Sequence, residues 1–179
     1  MALNRRDIID DAMSILSRYG LADLSMRRLA TALGVHTGAL YWHFENKQQL
    51  LAALASEVMR PVARSLEVTD GGPQRLVTTW AQNFRSALLG TRDGAELVSS
   101  AMAMRLLDPS PVDLIEQRLA DQGADPRVAT AVAHFVLGSV AQEQSHAQLV
   151  ELGVAEPSPR AVEDDFLFGI SLLVNRIGD

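Results

Sequence analysis

Between Ser25 and Leu51 the chain reads SMRRLATALGVHTGALYWHFENKQQLL, two short helical segments divided by a turn at Leu33-Gly34-Val35. Met26, Leu29, Ala30 and Leu33 recur at the three- and four-residue spacing of a helix face. Ser25 stands where an N-cap hydroxyl belongs, and Gly34 where a left-handed residue ends a helix. A second segment, His36 to Phe44, follows at once, and Asn46 then offers a cap for a long apolar helix. Short helices joined in this way make a helix-turn-helix, a unit that sets its second helix in the major groove of DNA.

The same period runs through the rest of the chain. Ile8, Ala12, Ile15 and Tyr19 mark a first helix stopped by Gly20. The helix capped by Asn46 continues through Leu50, Leu51, Leu54, Val58 and Val62, meets Pro61 as a potential kink, and stops before Asp70-Gly71-Gly72-Pro73. Leu76, Trp80, Phe84 and Leu88 form the next stripe, closed by Gly90. A short segment around Ala95–Leu107 leads into the turn Asp108-Pro109-Ser110-Pro111, which opens a helix through Leu114, Ile115 and Leu119. Asp125 is placed to cap a longer helix with Pro126 at its first position and the stripe Val128, Val132, Phe135 and Ser139. Glu156-Pro157-Ser158-Pro159 breaks it, and a last helix carries Phe166, Ile170, Leu173 and Ile177. Strict alternation is absent, as are internal repeats. The expected fold class is all-α. A three-helix helix-turn-helix domain is expected over residues 1–46 and a larger helical domain over 47–179, the helix 47–67 joining the two.

Composition narrows the function. At 179 residues, 47% of them hydrophobic and 21% charged, the chain can bury a real core. No apolar run approaches the roughly 20 residues of a membrane span, and the opening MALNRRDIIDD has no signal-peptide character, so the cytoplasm is the expected compartment. Cysteine is absent, which removes disulfide and thiolate chemistry. The net charge of −6 splits unevenly: residues 1–50 hold six basic and five acidic residues, a balance of +1, and the remainder carries −7. An acidic body repels phosphate and leaves the N-terminal part as the one that approaches DNA.

A recognition helix needs short or polar side chains on its exposed first turn, and His36, Thr37, Gly38 and Ala39 meet that need. Tyr41, Trp42 and His43 follow with polar edges suited to phosphate oxygens, and Lys47, the only lysine in the chain, opens the next helix beside them. Arg27 is placed to reach the groove edge or the backbone. Leu40 and Phe44 read as core, and Arg28 as an ion-paired surface residue.

Together these residues resemble the DNA-binding domain of the TetR family of bacterial repressors. The resemblance implies a homodimer on double-stranded, palindromic operator DNA, with half-sites about one helical turn apart or a multiple of it (roughly 34–36 Å per turn). It carries DNA contacts onto Ser25, Arg27, His36, Thr37, Gly38, Tyr41, Trp42, His43 and Lys47. Phe84-Arg85-Ser86-Ala87-Leu88-Leu89, Arg92-Asp93-Gly94-Ala95, His134-Phe135-Val136-Leu137-Gly138 and Phe166-Leu167-Phe168-Gly169 are similar to the effector domain of the family's tetracycline-binding members. That subclass dimerises through a four-helix bundle, here implied for the helices around Val128–Glu151 and Asp165–Ile177. Its magnesium–tetracycline ligands fall on Ala63, Trp80, Val98, Ala101 and Gln142, which lack the oxygen donors a hard cation needs. Neither a metal nor any other cofactor is therefore expected. The implied pocket draws instead on Trp80, Phe84, Val98, Met102, Leu119, His134, Leu137 and Gln142, and suits a hydrophobic or aromatic small molecule. Such a ligand would act by population shift, with the helix 47–67 as lever and Arg92-Asp93-Gly94 as the point of transmission.

Other classes stay in view. Glu143-x-x-His146 has the spacing of di-iron carboxylate bundles but lacks a second copy, and Gly138-Ser139-Val140 lacks the second glycine of a nucleophile elbow. A helical-bundle enzyme with a carboxylate and histidine site is thus the minor alternative. A DNA-binding regulator that answers to no small molecule is another, and activation competes with repression.

Overall fold

A computed structural model describes residues 3–108, 110–158 and 162–175, all of it helices and connecting turns with no strand among them. The first helix, α1 (Arg5–Tyr19), starts from a reciprocal cap: the Asn4 side chain accepts from the Asp7 amide at 3.0 Å, and the Asp7 carboxylate accepts from the Asn4 amide at 3.4 Å. Gly20, at φ +84°, ends it. Then come α2 (Met26–Leu33), capped by the Ser25 hydroxyl and closed by Gly34 in the left-handed region, and α3 (Thr37–Tyr41). Asn46 caps α4 (Lys47–Val68) by accepting from the Gln49 amide at 2.9 Å.

Ile8, Ala12 and Leu16 of α1 share one continuous core with Leu24, Leu29, Leu40, Phe44, Leu50 and Leu54. The N-terminal head, α1 to α3, thus closes on the first half of α4. The second half of α4 packs against α5 (Pro73–Leu89) and α6 (Gly94–Ala103). Around these lie α7 (Pro111–Asp121), α8 (Arg127–Glu151) and α9 (Val162–Val174), with α8 touching α5, α6, α7 and α9. No helix is long and apolar enough to cross a membrane among the described residues.

Five expectations need correction. The segment His36 to Phe44 is helical only over Thr37–Tyr41; Trp42 and His43 form a turn, because Phe44 must fold back under α3 to be buried. The buried face of α8 is Ala129, Val132, Ala133, Val136, Leu137 and Val140, whereas Val128, Phe135 and Ser139 are half-buried at its edge. That helix packs on four others, so its apolar residues cover more than one stripe. The segment expected to reach Leu107 stops at Ala103, where Arg105 turns the chain at φ +55°. Proline 61 neither ends nor interrupts α4. The last helix begins at Val162 rather than Asp165; Ile177, Pro109 and Pro159 lie outside the described residues.

Helix α8 starts at Arg127, after Asp125 and Pro126. The Arg127 side chain and amide both bond the Asp125 carboxylate and hold its pKa down at about 2, below the usual 3.8. A folded-state pKa below the unfolded one stabilises above the ordinary carboxylate range, and the gain disappears as pH falls through the folded value. An NMR titration of Asp125 should therefore show its midpoint near pH 2. Phe44, wholly buried, supplies the second prediction: Phe44→Ala should cost about 3–5 kcal/mol in urea denaturation.

Candidate nucleic-acid interface and effector site

The site begins with two residues that point inward. Leu40 and Phe44 are wholly buried, one on the single inner face of α3 and the other just beyond its end. Their spacing turns Thr37, Gly38 and Tyr41 outward. Tyr41 is 49% and Trp42 91% exposed, a large aromatic area left in water on one side of the head. Ser25, Arg27, His36 and Gly38 are exposed, and Thr37, His43 and Lys47 half-buried. The nine positions proposed for DNA contact thus lie around α3, along the start of α2 and at the first residue of α4.

Two arginines of α2 have different occupations. Arg28 pairs with Asp23 at 2.7 Å and lies over the Tyr19 ring at 3.9 Å, which closes the α1–α2 corner. Arg27, exposed, has no ion pair among the described residues, and neither has Lys47.

The head meets the body through polar contacts centred on Asp93. This residue sits in the left-handed region (φ +54°) just ahead of α6. One carboxylate oxygen accepts from the Leu21 amide at 2.8 Å, and the other from the Gln148 side chain at 2.7 Å. Arg92 donates to the Arg18 carbonyl at 3.2 Å. The Gln144 amide group donates to the Leu88 and Thr91 carbonyls at 3.1 and 2.8 Å and accepts from the Ala95 amide at 3.2 Å. Arg6 and Glu57, 3.2 Å apart, join α1 to α4 on another side. The sequence singled out Arg92-Asp93-Gly94 at this place, but gave no sign that Gly20, Gln144 and Gln148 complete these contacts.

The eight effector candidates fall in different places. Trp80, Phe84, Val98 and Leu119 are wholly buried in the core, Trp80 and Phe84 with ring centroids 5.6 Å apart. The Trp80 indole N–H is buried without an acceptor. Met102 is half-buried beside them. His134 and Leu137 line a hollow of about 750 Å3 beside the joint, together with Tyr19, Arg92, Asp93 and Gln144. Gln142 lines another, of about 570 Å3, with Arg85, Phe135 and Phe166. The structure therefore does not gather all eight around one of these hollows. Burial on several sides takes the four large apolar residues into the core.

Glu143 grips the Arg85 guanidinium with both oxygens, at 2.8 and 3.1 Å, and Arg85 also faces the Phe166 ring. This pair ties α5, α8 and α9. Among the described residues no three His, Asp or Glu side chains gather as a metal cluster.

The family model for bacterial regulatory proteins of the tetR family matches residues 8–54. Tetracycline repressor protein class D of Escherichia coli is 36% identical over 152 residues, covering 80% of this chain and 68% of its own length. The class E repressor of Escherichia coli is 30% identical over 170 residues, 92% of this chain and 80% of its own. BioQ of Mycobacterium smegmatis superposes with a TM-score of 0.85 at 35% identity, covering 97% of both chains. A crystal structure of BioQ with its double-stranded DNA operator superposes with a TM-score of 0.79 at 34% identity, again over 97% of both.

Gly20 gives a direct test of the joint. A Cβ there would lie 2.7 Å from the Asp93 carboxylate, whereas Gly123, also at positive φ, has open space around it. Gly20, at φ +84° and ψ 175°, holds a backbone nearly reserved to glycine, so its alanine variant carries more backbone strain than Gly123→Ala even before the clash. Gly20→Ala should lose clearly more than Gly123→Ala in chemical denaturation, since it must also displace Asp93.

Proposed function

The chain belongs to the tetR family of bacterial regulatory proteins, and on that premise we propose that it represses transcription as a homodimer released from its operator by a small molecule. It is a DNA-binding transcriptional regulator. The reading head spans residues 1–46 and the effector and dimerisation domain 47–179, with α4 common to both.

One observation carries the DNA reading: α3 is held from beneath by Leu40 and Phe44 and presents Thr37, Gly38, Tyr41 and Trp42 outward. Arg27 and Lys47 flank it with charge for phosphate, and the same nine positions, Ser25, Arg27, His36, Thr37, Gly38, Tyr41, Trp42, His43 and Lys47, are the proposed contacts. Dimerisation is supported by apolar surface on α8 and α9. Leu149, Leu152, Phe168 and Leu172 are 43–74% exposed, an area suited to a second copy.

The effector we infer is hydrophobic or aromatic, and the hollow beside the joint is where its binding has mechanical consequence. Leu137 and Ala141 give that hollow apolar wall, while His134, Arg92 and Gln144 give it polar anchors. A ligand that draws Arg92 or Asp93 away from the α1–α2 turn favours a different head angle, and by linkage weakens operator binding. Trp80, Phe84, Val98, Met102, Leu119 and Gln142 contribute to the effector response from the core and from the second hollow.

Magnesium–tetracycline does not fit. Trp80, Val98 and Ala101 are buried and Ala63 half-buried, none with a side-chain oxygen, which leaves the amide of Gln142 as the sole oxygen donor of the set. Catalysis is no part of the proposal: Glu143, the carboxylate of the Glu143-x-x-His146 pair, is engaged by Arg85. The action is placed in the cytoplasm, with its DNA. The packed core favours one second reading, an operator-bound regulator that answers to no small molecule.

Selection of duplexes from a random pool tests the function. The expected product is a palindrome whose half-site centres lie about 10–10.5 base pairs apart, or a multiple of that. Sequences without dyad symmetry would remove the homodimer, and no enrichment would remove the DNA reading. Magnesium with tetracycline, added to the selected complex, should leave it intact.

A further inference from the structure

We propose that Arg5, on the first turn of α1 and outside the helix-turn-helix, is a positioning residue that fixes the far end of the recognition helix. The proposal rests on α3 being the helix that enters the groove.

Five residues are too few for a helix to persist by its own hydrogen bonds. At its start, His36 supplies no side-chain cap. At its end the chain turns through Trp42 and His43, and the His43 and Phe44 amides both donate to the one Leu40 carbonyl, at 3.0 and 2.9 Å. Leu40 and Phe44 hold α3 down, but two apolar anchors on one side do not fix its rotation or the pitch of its exit. Arg5 supplies the missing constraint. Its Nη1 donates to the His43 carbonyl at 3.0 Å, and its guanidinium carbon lies 4.2 Å from the centroid of the Phe44 ring. One planar cation therefore grips both the exit carbonyl and the anchor ring.

The placement of this charge makes sense only toward α3. Arg5 is the first residue of α1, where the helix dipole disfavours a cation. Its neighbour Arg6 is compensated by Asp10 at 3.1 Å and Glu57 at 3.2 Å, whereas Arg5 has no carboxylate within ion-pair distance among the described residues. Both contacts recorded for its guanidinium go to the segment that follows α3. Tyr41, Trp42 and His43 lie just before the point held, so slack there is felt at the proposed groove contacts. Discrimination between base edges depends on that geometry more than phosphate attraction does.

The test uses the full chain and the variants Arg5→Ala and Arg5→Lys. Affinities are measured for the palindromic duplex selected by the wild type and for a scrambled duplex, over a range of salt. The chain is also labelled with 5-fluorotryptophan, whose two fluorine resonances report Trp42, 91% exposed, and Trp80, fully buried. Arg5→Ala should weaken the selected duplex about tenfold, the order of one charge-assisted hydrogen bond, and leave the scrambled duplex and the salt slope unchanged. The Trp42 resonance should shift and narrow while that of Trp80 stays in place. Arg5→Lys, which keeps a cationic donor, should recover part of both effects. Wild-type affinity in Arg5→Ala overturns the proposal. So does an equal loss on both duplexes with the slope reduced by about 0.9 per lost contact, the mark of a phosphate ligand instead. A wild type without any duplex preference overturns the reading of α3 and this proposal with it. A Trp42 resonance indifferent to Arg5 overturns the positioning role alone.

Discussion

Leu40 and Phe44, buried under a helix of five residues, are the constraint on which the rest of the head depends. A segment so short has no stability of its own to lend, so its orientation is whatever its anchors dictate. The two lie four residues apart, and that spacing selects the face of the segment that is turned inward. Thr37, Gly38 and Tyr41 are presented because the intervening positions are tied to α2 and to the core beneath. Ser25 and Asn46, capping α2 and α4 on either side, hold the helices that form this floor. The reading surface is thus a by-product of apolar packing, with polar caps setting where each piece begins.

Head and body are joined differently. Within each, apolar side chains interlock, but the Asp93 joint rests on one carboxylate shared between the Leu21 amide and the Gln148 side chain. Hydrogen bonds of this kind exchange with water at small net cost, whereas apolar cores resist sliding. Gly20 serves the joint by leaving room for Asp93 and by adopting the backbone that brings the Leu21 amide to it. Helix α4 runs unbroken from one side to the other, packing on α1 at the head and on α5 and α6 in the body.

How much of this was legible in the sequence follows from physical range. The faces of α2 and α5 were visible because each buries one stripe at helical spacing, whereas the stripe read on α1 ended on Tyr19, which is 44% exposed, and missed Leu16. On α8 the stripe was misplaced, since Ala133, Val136 and Val140 bury a helix surrounded by four others and blur any single period. The outward set around α3 was legible because it is local, confined to about twenty residues between two caps. The effector residues were not separable from core, as Trp80 or Phe84 has the same periodic signature whether it lines a cavity or fills one. Contacts such as Arg5 with the His43 carbonyl, or Gln144 with Leu88 and Thr91, join residues 38 to 56 positions apart and leave no periodic trace.

Charge explains why geometry matters so much here. The first fifty residues carry a balance of only +1, and the remainder carries −7. Phosphate attraction, which supplies most non-specific affinity, is therefore weak, and the acidic body adds repulsion at a distance. A chain of this kind gains little from sitting on arbitrary DNA. Its useful quantity is the ratio of specific to non-specific binding, and a low non-specific term raises that ratio without any added contact. On the proposed reading, the specific term comes from a few well-placed side chains on α3. Each degree of freedom left at the ends of that helix is subtracted from it, so a short recognition helix in a nearly neutral head requires firm fixing at both ends.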